Sequence, residues 1–287
     1  MALEYLSEIT INSFITMSLA EDVGDGDHSS LASIGENVIQ EAQLIVKDNG
    51  ILAGVNLAER ICLKVDDSLK FDLKIKDGST VQVGDIAFTL SGKARSILKA
   101  ERLVLNCMQR MSGIATYTHS LNKLIEGTGA RLLDTRKTTP LFRAMEKWAV
   151  VIGGGMNHRF NLADMIMLKD NHIDYAGGME QAISQTQAYL KANKKKLKIE
   201  VETRSLEEVS QVVKIGGVDR VMFDNMAPDL LKQAVKLVAG KMETEASGGI
   251  TEKTIRAVAE TGVDFISVGA LTHSVKSLDM SLKAINN

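Results

Sequence analysis

Cysteine is scarce. Cys62 and Cys107 are the only two in 287 residues, too few and too far apart for a disulfide framework or a cysteine-rich zinc site, so a reducing compartment is expected. No uninterrupted apolar run approaches the roughly 18 residues of a spanning helix. Met1 to Ala20 carries Glu4 and Glu8 without a basic start, which is not the form of a secretion signal, and the cytoplasm is the expected location. A strong net charge is also missing. Thirty-four Lys and Arg against 36 Asp and Glu leave −2, a balance with no general field for nucleic acid or anionic lipid. Neither a nucleic-acid nor a membrane partner is expected, and any anion site must be a local gathering of bases. What is present is ordinary for a soluble globular protein: 45% apolar and 24% charged residues, with length for one large or two smaller domains.

The apolar spacing predicts a helix over 3–20, ending in an acidic, glycine-rich loop from Glu21 to Asp27. Between Gln43 and Gly92 short alternating segments predict strands, with a helix near Asn56 to Lys64 and turns at Asp48-Asn49-Gly50 and Asp77-Gly78. Residues 96–125 return to helical spacing. Six short apolar strands then alternate with amphipathic helices: Arg131–Leu133, Met165–Leu168, Ile199–Val201, Arg220–Phe223, Thr244–Ala246 and Phe265–Val268. That order reads as a parallel sheet curled into a barrel or partial barrel. The fold class is thus α/β: an N-terminal α+β sandwich over 1–114, a partial barrel over 115–274, and a terminal helix over 275–287 packing back on the sandwich.

Each barrel strand ends in a polar residue or glycine: Asp134, Lys169, Glu202, Asp224, Ser247 and Gly269. Parallel strands set these ends on one rim, where barrel enzymes build their sites. Asp134-Thr135-Arg136-Lys137-Thr138-Thr139-Pro140 offers cations, hydroxyls and backbone amides to an oxyanion, or is a solvated basic loop. Gly153-Gly154-Gly155 breaks a helix and delivers Met156-Asn157-His158-Arg159, while Lys169-Asp170-Asn171-His172 closes the next strand, with His172 read as structural. Glu200 and Glu202 share one side of a strand. One of them, at the strand end near Asp224 of the next strand, can hold Mg²⁺, stabilise a developing cation, or form a buried ion pair with Lys169. Ser247-Gly248-Gly249 and Val268-Gly269-Ala270 follow the last two strands, the usual site of a phosphate cradle.

Taken together, DTRKTTP (Asp134–Pro140), GGGMNHR (Gly153–Arg159), LKDNHI (Leu168–Ile173), EVE (Glu200–Glu202) and ISVGALTHS (Ile266–Ser274), with Gln109–Ala115 before them, closely resemble the quinolinate phosphoribosyltransferase family, in order and over almost the whole chain. Two departures stand out: Leu141-Phe142 replaces the family's usual Gly-Leu, and Asp27-His28-Ser29-Ser30 stands where two threonines are commoner. A sister family linked to molybdenum uptake shares the fold but generally lacks the NHR and KDNH runs.

The resemblance implies transfer of phosphoribosyl from phosphoribosyl pyrophosphate to quinolinate, with loss of pyrophosphate and CO₂. It assigns the dicarboxylate pocket to Thr135, Arg136, Lys137, His158, Arg159 and Lys169, with Arg102 supplied in trans by the second subunit of a homodimer. Lys137, Lys169, Glu202 and Asp224 take catalytic roles, Glu202 and Asp224 also as Mg²⁺ ligands. Ser247 to Gly249 and Val268 to Ala270 hold phosphate oxygens. Two rival readings are a lipoyl- or biotin-type carrier, from the turn Asp77 to Asp85, and a non-catalytic phosphosugar sensor. The first leaves the basic rim unexplained and the second has no use for a dicarboxylate pocket.

Overall fold

In the computed structural model, which describes residues 4–285, Ser7 accepts the Thr10 N–H and starts helix α1 (Glu8–Val23). Leu3, where the expected helix began, lies outside the described residues. The helix runs on through Glu21-Asp22-Val23, expected as loop, and stops at Gly24, whose φ of 57° favours glycine. Asp27 then accepts the Ser30 N–H and hydroxyl and caps α2 (His28–Ser33). The acidic stretch is therefore helix end and helix cap with a short link between, Asp27 being the carboxylate that finds an amide partner.

The chain continues as β1 (Ile39–Val46), β2 (Gly50–Ile51), α3 (Val55–Val65), β3 (Lys70–Leu73), β4 (Thr80–Val81), β5 (Ile86–Lys93) and the long α4 (Ala94–Leu124). Next come β6 (Arg131–Leu133), α5 (Arg143–Ile152), β7 (Met165–Leu168), α6 (Asp170–Ala176), α7 (Met179–Ala192), β8 (Lys198–Thr203), α8 (Leu206–Ile215), β9 (Arg220–Asp224), α9 (Pro228–Val238), β10 (Glu243–Ser247), α10 (Ile255–Ala259), β11 (Phe265–Ser267), α11 (Ala270–His273) and β12 (Met280–Ala284).

One unit holds the residues up to His119, Thr138–Gly154 and those from Ala270 on. Its antiparallel sheet runs β12-β1-β5-β3, beside a small β2-β4 pair. The stacked Phe71 and Phe88 rings, 4.3 Å between centroids, bridge β3 and β5. Gly54 has no side chain to cap α3, so Asp77 does it, accepting the Val55 and Asn56 N–H groups at 2.8 and 3.3 Å. The turn that resembles a carrier module thus closes a helix. Residues 138–154 belong here through Glu146, which is fully buried and takes Arg110 Nε at 3.0 Å, Arg110 Nη2 at 2.9 Å and the Thr139 N–H at 3.0 Å.

The expected terminal helix is instead a strand. Met280 and Leu282 are buried while Ser281 and Lys283 are not, and β12 pairs antiparallel with β1 in the register Leu44↔Leu282. Alternation with period two governs this segment, and a helix would turn that apolar row through solvent. Asn286 and Asn287 lie outside the described residues.

The second unit, Ser120–Lys137 and Gly155–Gly269, is built on six parallel strands in the order β6-β11-β10-β9-β8-β7, formed by the six segments expected from the sequence. One face is apolar, with Ile199, Val201, Val221, Phe223, Ala246 and Ile266 all buried, and it packs under the helices. The register sets the other face: Glu200 beside Arg220, Glu202 beside Met222, Met222 beside Glu245 and Asp224 beside Ser247. Charge on that face is what a partial barrel with a polar interior needs.

Candidate active site

Carboxyl ends of parallel strands share a rim, and in the second unit that rim carries most of the expected site. Thr135 and Arg136 follow β6, half-buried, and Lys137 is exposed, its N–H donating to the Thr135 hydroxyl at 3.0 Å. Lys169 ends β7 and its Nζ lies 2.7 Å from Glu202 at the end of β8. The ion pair weighed from the sequence is therefore formed, but not buried. His172 is structural, accepting the Lys169 N–H at Nδ1.

Arg159 is the unusual cation. Among the described residues its guanidinium meets only neutral acceptors, the Met165 carbonyl at 3.2 Å and Met167 sulfur at 3.6 Å. Burial first, and the neighbouring charge of Arg136 second, lower its pKa. Glu200 and Asp164 pull the other way without outweighing them, and a half-buried guanidinium that hydrogen-bonds no acid prepares a place for an anion.

Beneath the rim, His158 is buried. Its Nε2 lies 2.9 Å from Glu200 and 3.5 Å from Glu245, both fully buried. Arg220 holds Glu245 at 2.8 Å and Glu243 at 3.0 Å, with its guanidinium 4.0 Å from the centre of the Phe265 ring. Burial opposes an imidazolium, but the two carboxylates outweigh it and push His158 up to about 9. The Arg159 N–H makes the opposite demand, donating to Nδ1 at 2.7 Å. A nitrogen that accepts this bond carries no proton, so the hydrogen-bond geometry decides for the ring protonated at Nε2 alone. Burial, and then the Glu245 charge, push the Glu200 carboxyl up.

His158, Glu200 and Glu245 offer ligand atoms within 4.8 Å of one another. They do not fit a metal, because Nε2 bears hydrogen and Arg220 occupies Glu245. Glu202 and Asp224 fit better: hard oxygens on one sheet face, although Glu202 already carries the Lys169 ammonium.

Ser247 leads into Gly248 and Gly249, with φ of 92° and 62°. Asn225, itself at φ 54°, donates its N–H to the Ser247 carbonyl at 2.8 Å and its amide to Asp224 at 2.9 Å, lacing two strand ends together. Val268 donates to the Leu133 carbonyl at 3.0 Å, with Gly269 after it. Arg102, exposed on α4, and Ala270, opening α11, belong to the first unit. So does a cavity of about 400 Å³ between α1 and α4, which none of the expected site residues lines. Sequence reasoning did not single out Asn225, Glu245 and Arg220 as site residues. Glu243, Glu245 and Ser247 spaced two apart in β10, and Arg220 and Asp224 four apart on one face of β9, were the available signal for the last two; nothing in the sequence marks the backbone of Asn225.

Two family models match the chain: the N-terminal domain of quinolinate phosphoribosyl transferase over residues 27–112 and its C-terminal domain over 114–283. The chain belongs to the quinolinate phosphoribosyltransferase family. A tobacco (Nicotiana tabacum) relative named quinolinate phosphoribosyltransferase [decarboxylating] 1b is 47% identical over 284 residues, 94% of this chain and 81% of that one. A Bacillus subtilis relative, named probable nicotinate-nucleotide pyrophosphorylase [carboxylating], is 39% identical and covers 96% and 94%. The crystal structure of NadC from Streptococcus pyogenes superposes with a TM-score of 0.91 at 38% identity, over 98% and 99% of the two chains. Where the family usually has glycine, Leu141 takes a φ of 62° with its side chain 81% exposed.

Proposed function

We propose that the chain transfers the phosphoribosyl group of phosphoribosyl pyrophosphate to the ring nitrogen of quinolinate, releasing pyrophosphate and CO₂ and leaving nicotinate mononucleotide. The observation that carries this reading is Arg159, whose guanidinium hydrogen-bonds no acid and whose pKa is lowered by burial and the Arg136 charge despite the pull of Glu200 and Asp164. Quinolinate brings two carboxylates to cations that want them, and bidentate guanidinium–carboxylate bonds are the strong ones in a half-buried site. A monoacid such as nicotinate would leave one cation unmatched, which disfavours it. Lys137 and Lys169 complete the positive side, with Thr135 and the His158 segment beside them. Arg102 of the partner subunit joins them in a homodimer, a reading supported by its exposure on α4.

On the sugar side, positive charge develops at C1 as pyrophosphate departs. Glu202 and Asp224 supply negative charge from neighbouring strand ends to stabilise it. Mg²⁺ bound with the pyrophosphate would neutralise the leaving group, and these same two carboxylates are its candidate protein ligands. Ser247 to Gly249 and Val268 to Ala270 offer backbone N–H groups to phosphate oxygens. Once alkylated, the cationic ring nitrogen stabilises the electron pair left on the adjacent ring carbon as CO₂ departs, and that carbon takes up a proton from water, so no protein nucleophile is required. Cys62 and Cys107 are free and buried, which agrees with a cytoplasmic enzyme. Among the described residues no helix is long and apolar enough to cross a membrane.

The test is direct. Purified protein with quinolinate, phosphoribosyl pyrophosphate and Mg²⁺ should yield CO₂ and nicotinate mononucleotide in equal amounts, and nicotinate should be a far poorer acceptor. Absence of both products, or equal use of nicotinate, would remove the reading.

A further inference from the structure

The Asn157-His158-Arg159 run is held by three acids from three other strands. Asp134, fully buried after β6, accepts the His158 N–H at 2.8 Å and the Asn157 side-chain amide at 2.6 Å. Glu200 of β8 and Glu245 of β10 face Nε2 of the imidazole, and Arg220 of β9 fastens Glu245 from behind. Nδ1 accepts the Arg159 N–H, which leaves Nε2, facing the two carboxylates, as the nitrogen that carries the proton. The peptide groups on both sides of His158 are therefore fixed, one by Asp134 and the other by the ring.

We propose that Glu245, anchored by Arg220 and acting with Glu200, is a positioning residue for the acceptor carboxylates: it holds the tautomer of His158, and the imidazole in turn aims Arg159. This rests on the reading of Arg159 as a quinolinate-binding cation. The ring is buried, with Nδ1 taken by the Arg159 N–H and Nε2 turned to Glu200 and Glu245, so its service to substrate runs through the Arg159 backbone. An aimed guanidinium is worth more than a loose one, because the ordering cost is met before the ligand arrives.

Two measurements test it. Nitrogen NMR of the imidazoles in the wild-type protein, with His158 assigned from a His158→Gln variant, should show Nε2 protonated and Nδ1 bare. This readout needs no substrate and stands even where the proposed reaction fails. Glu245→Gln should then mix the tautomers, raise the KM for quinolinate by about tenfold, the cost of one misaligned charged contact, and leave the KM for phosphoribosyl pyrophosphate within about twofold. Because Glu245→Gln strands the buried Arg220, the paired variant Glu245→Gln/Arg220→Gln removes both charges and should show the same split with a smaller loss of Tm. A protonated Nδ1 in the wild type overturns the proposal. So does a folded variant with altered His158 signals and an unchanged KM for quinolinate, or one whose losses fall equally on both substrates.

Discussion

Gly248→Ala isolates the turn that joins two strand ends. The backbone there has φ 92°, and an added Cβ would lie 2.5 Å from Cγ and 2.8 Å from Nδ2 of Asn225. A left-handed alanine costs about 1–2 kcal/mol. Asn225 cannot swing away freely, because its amide donates to Asp224 and its own N–H to the Ser247 carbonyl, and losing one such bond adds about 1 kcal/mol. The expected loss is about 2–3 kcal/mol in urea unfolding, with the KM for phosphoribosyl pyrophosphate raised more than that for quinolinate. Asn225→Gly in the same chain removes the obstructing amide and relaxes position 225, where φ is also positive, and should return about 1 kcal/mol as a coupling energy. A Gly248→Ala protein within about 0.5 kcal/mol of wild type, or one that Asn225→Gly fails to rescue, would refute the account of this turn.

Arg159→Ala should raise the KM for quinolinate by about 100-fold or more while Tm moves little, since its guanidinium hydrogen-bonds only the Met165 carbonyl and the Met167 sulfur; activity and Tm falling together would contradict it. Leu141→Gly should be at least as stable as wild type. It relieves a left-handed leucine at φ 62° worth about 1 kcal/mol, against a similar entropic cost of glycine, and the exposed side chain loses no burial. A loss above about 1 kcal/mol in urea unfolding would show that Leu141 packs against something.

The parallel sheet was legible because its strands are short apolar runs and each ends in a residue of different chemistry, so Lys169, Glu202, Asp224 and Ser247 could be set on one rim before any coordinates. Periodicity misled at the chain's end, where Met280, Leu282 and their polar neighbours are too few to separate period two from a helical turn. Glu21 to Asp27 misled for another reason: acidic residues beside glycine serve a loop or a helix cap equally well, and only the amide of Ser30 decides. At the site, single residues were readable and partnerships were not. Glu245 could be matched with His158 and Arg220 only once the order β8, β9, β10 was known, because cross-strand register fixes which carboxylate faces which base.

The pairing of β12 with β1 bears on how the molecule is made. The strand that follows every barrel strand in the sequence supplies an outer row of the N-terminal sheet, so during synthesis β1 waits with its amide edge bare while the whole parallel sheet emerges from the ribosome. Such an edge invites pairing with a nascent neighbour, and a chain interrupted after Ser274 would carry an intact catalytic half yet remain a candidate for aggregation.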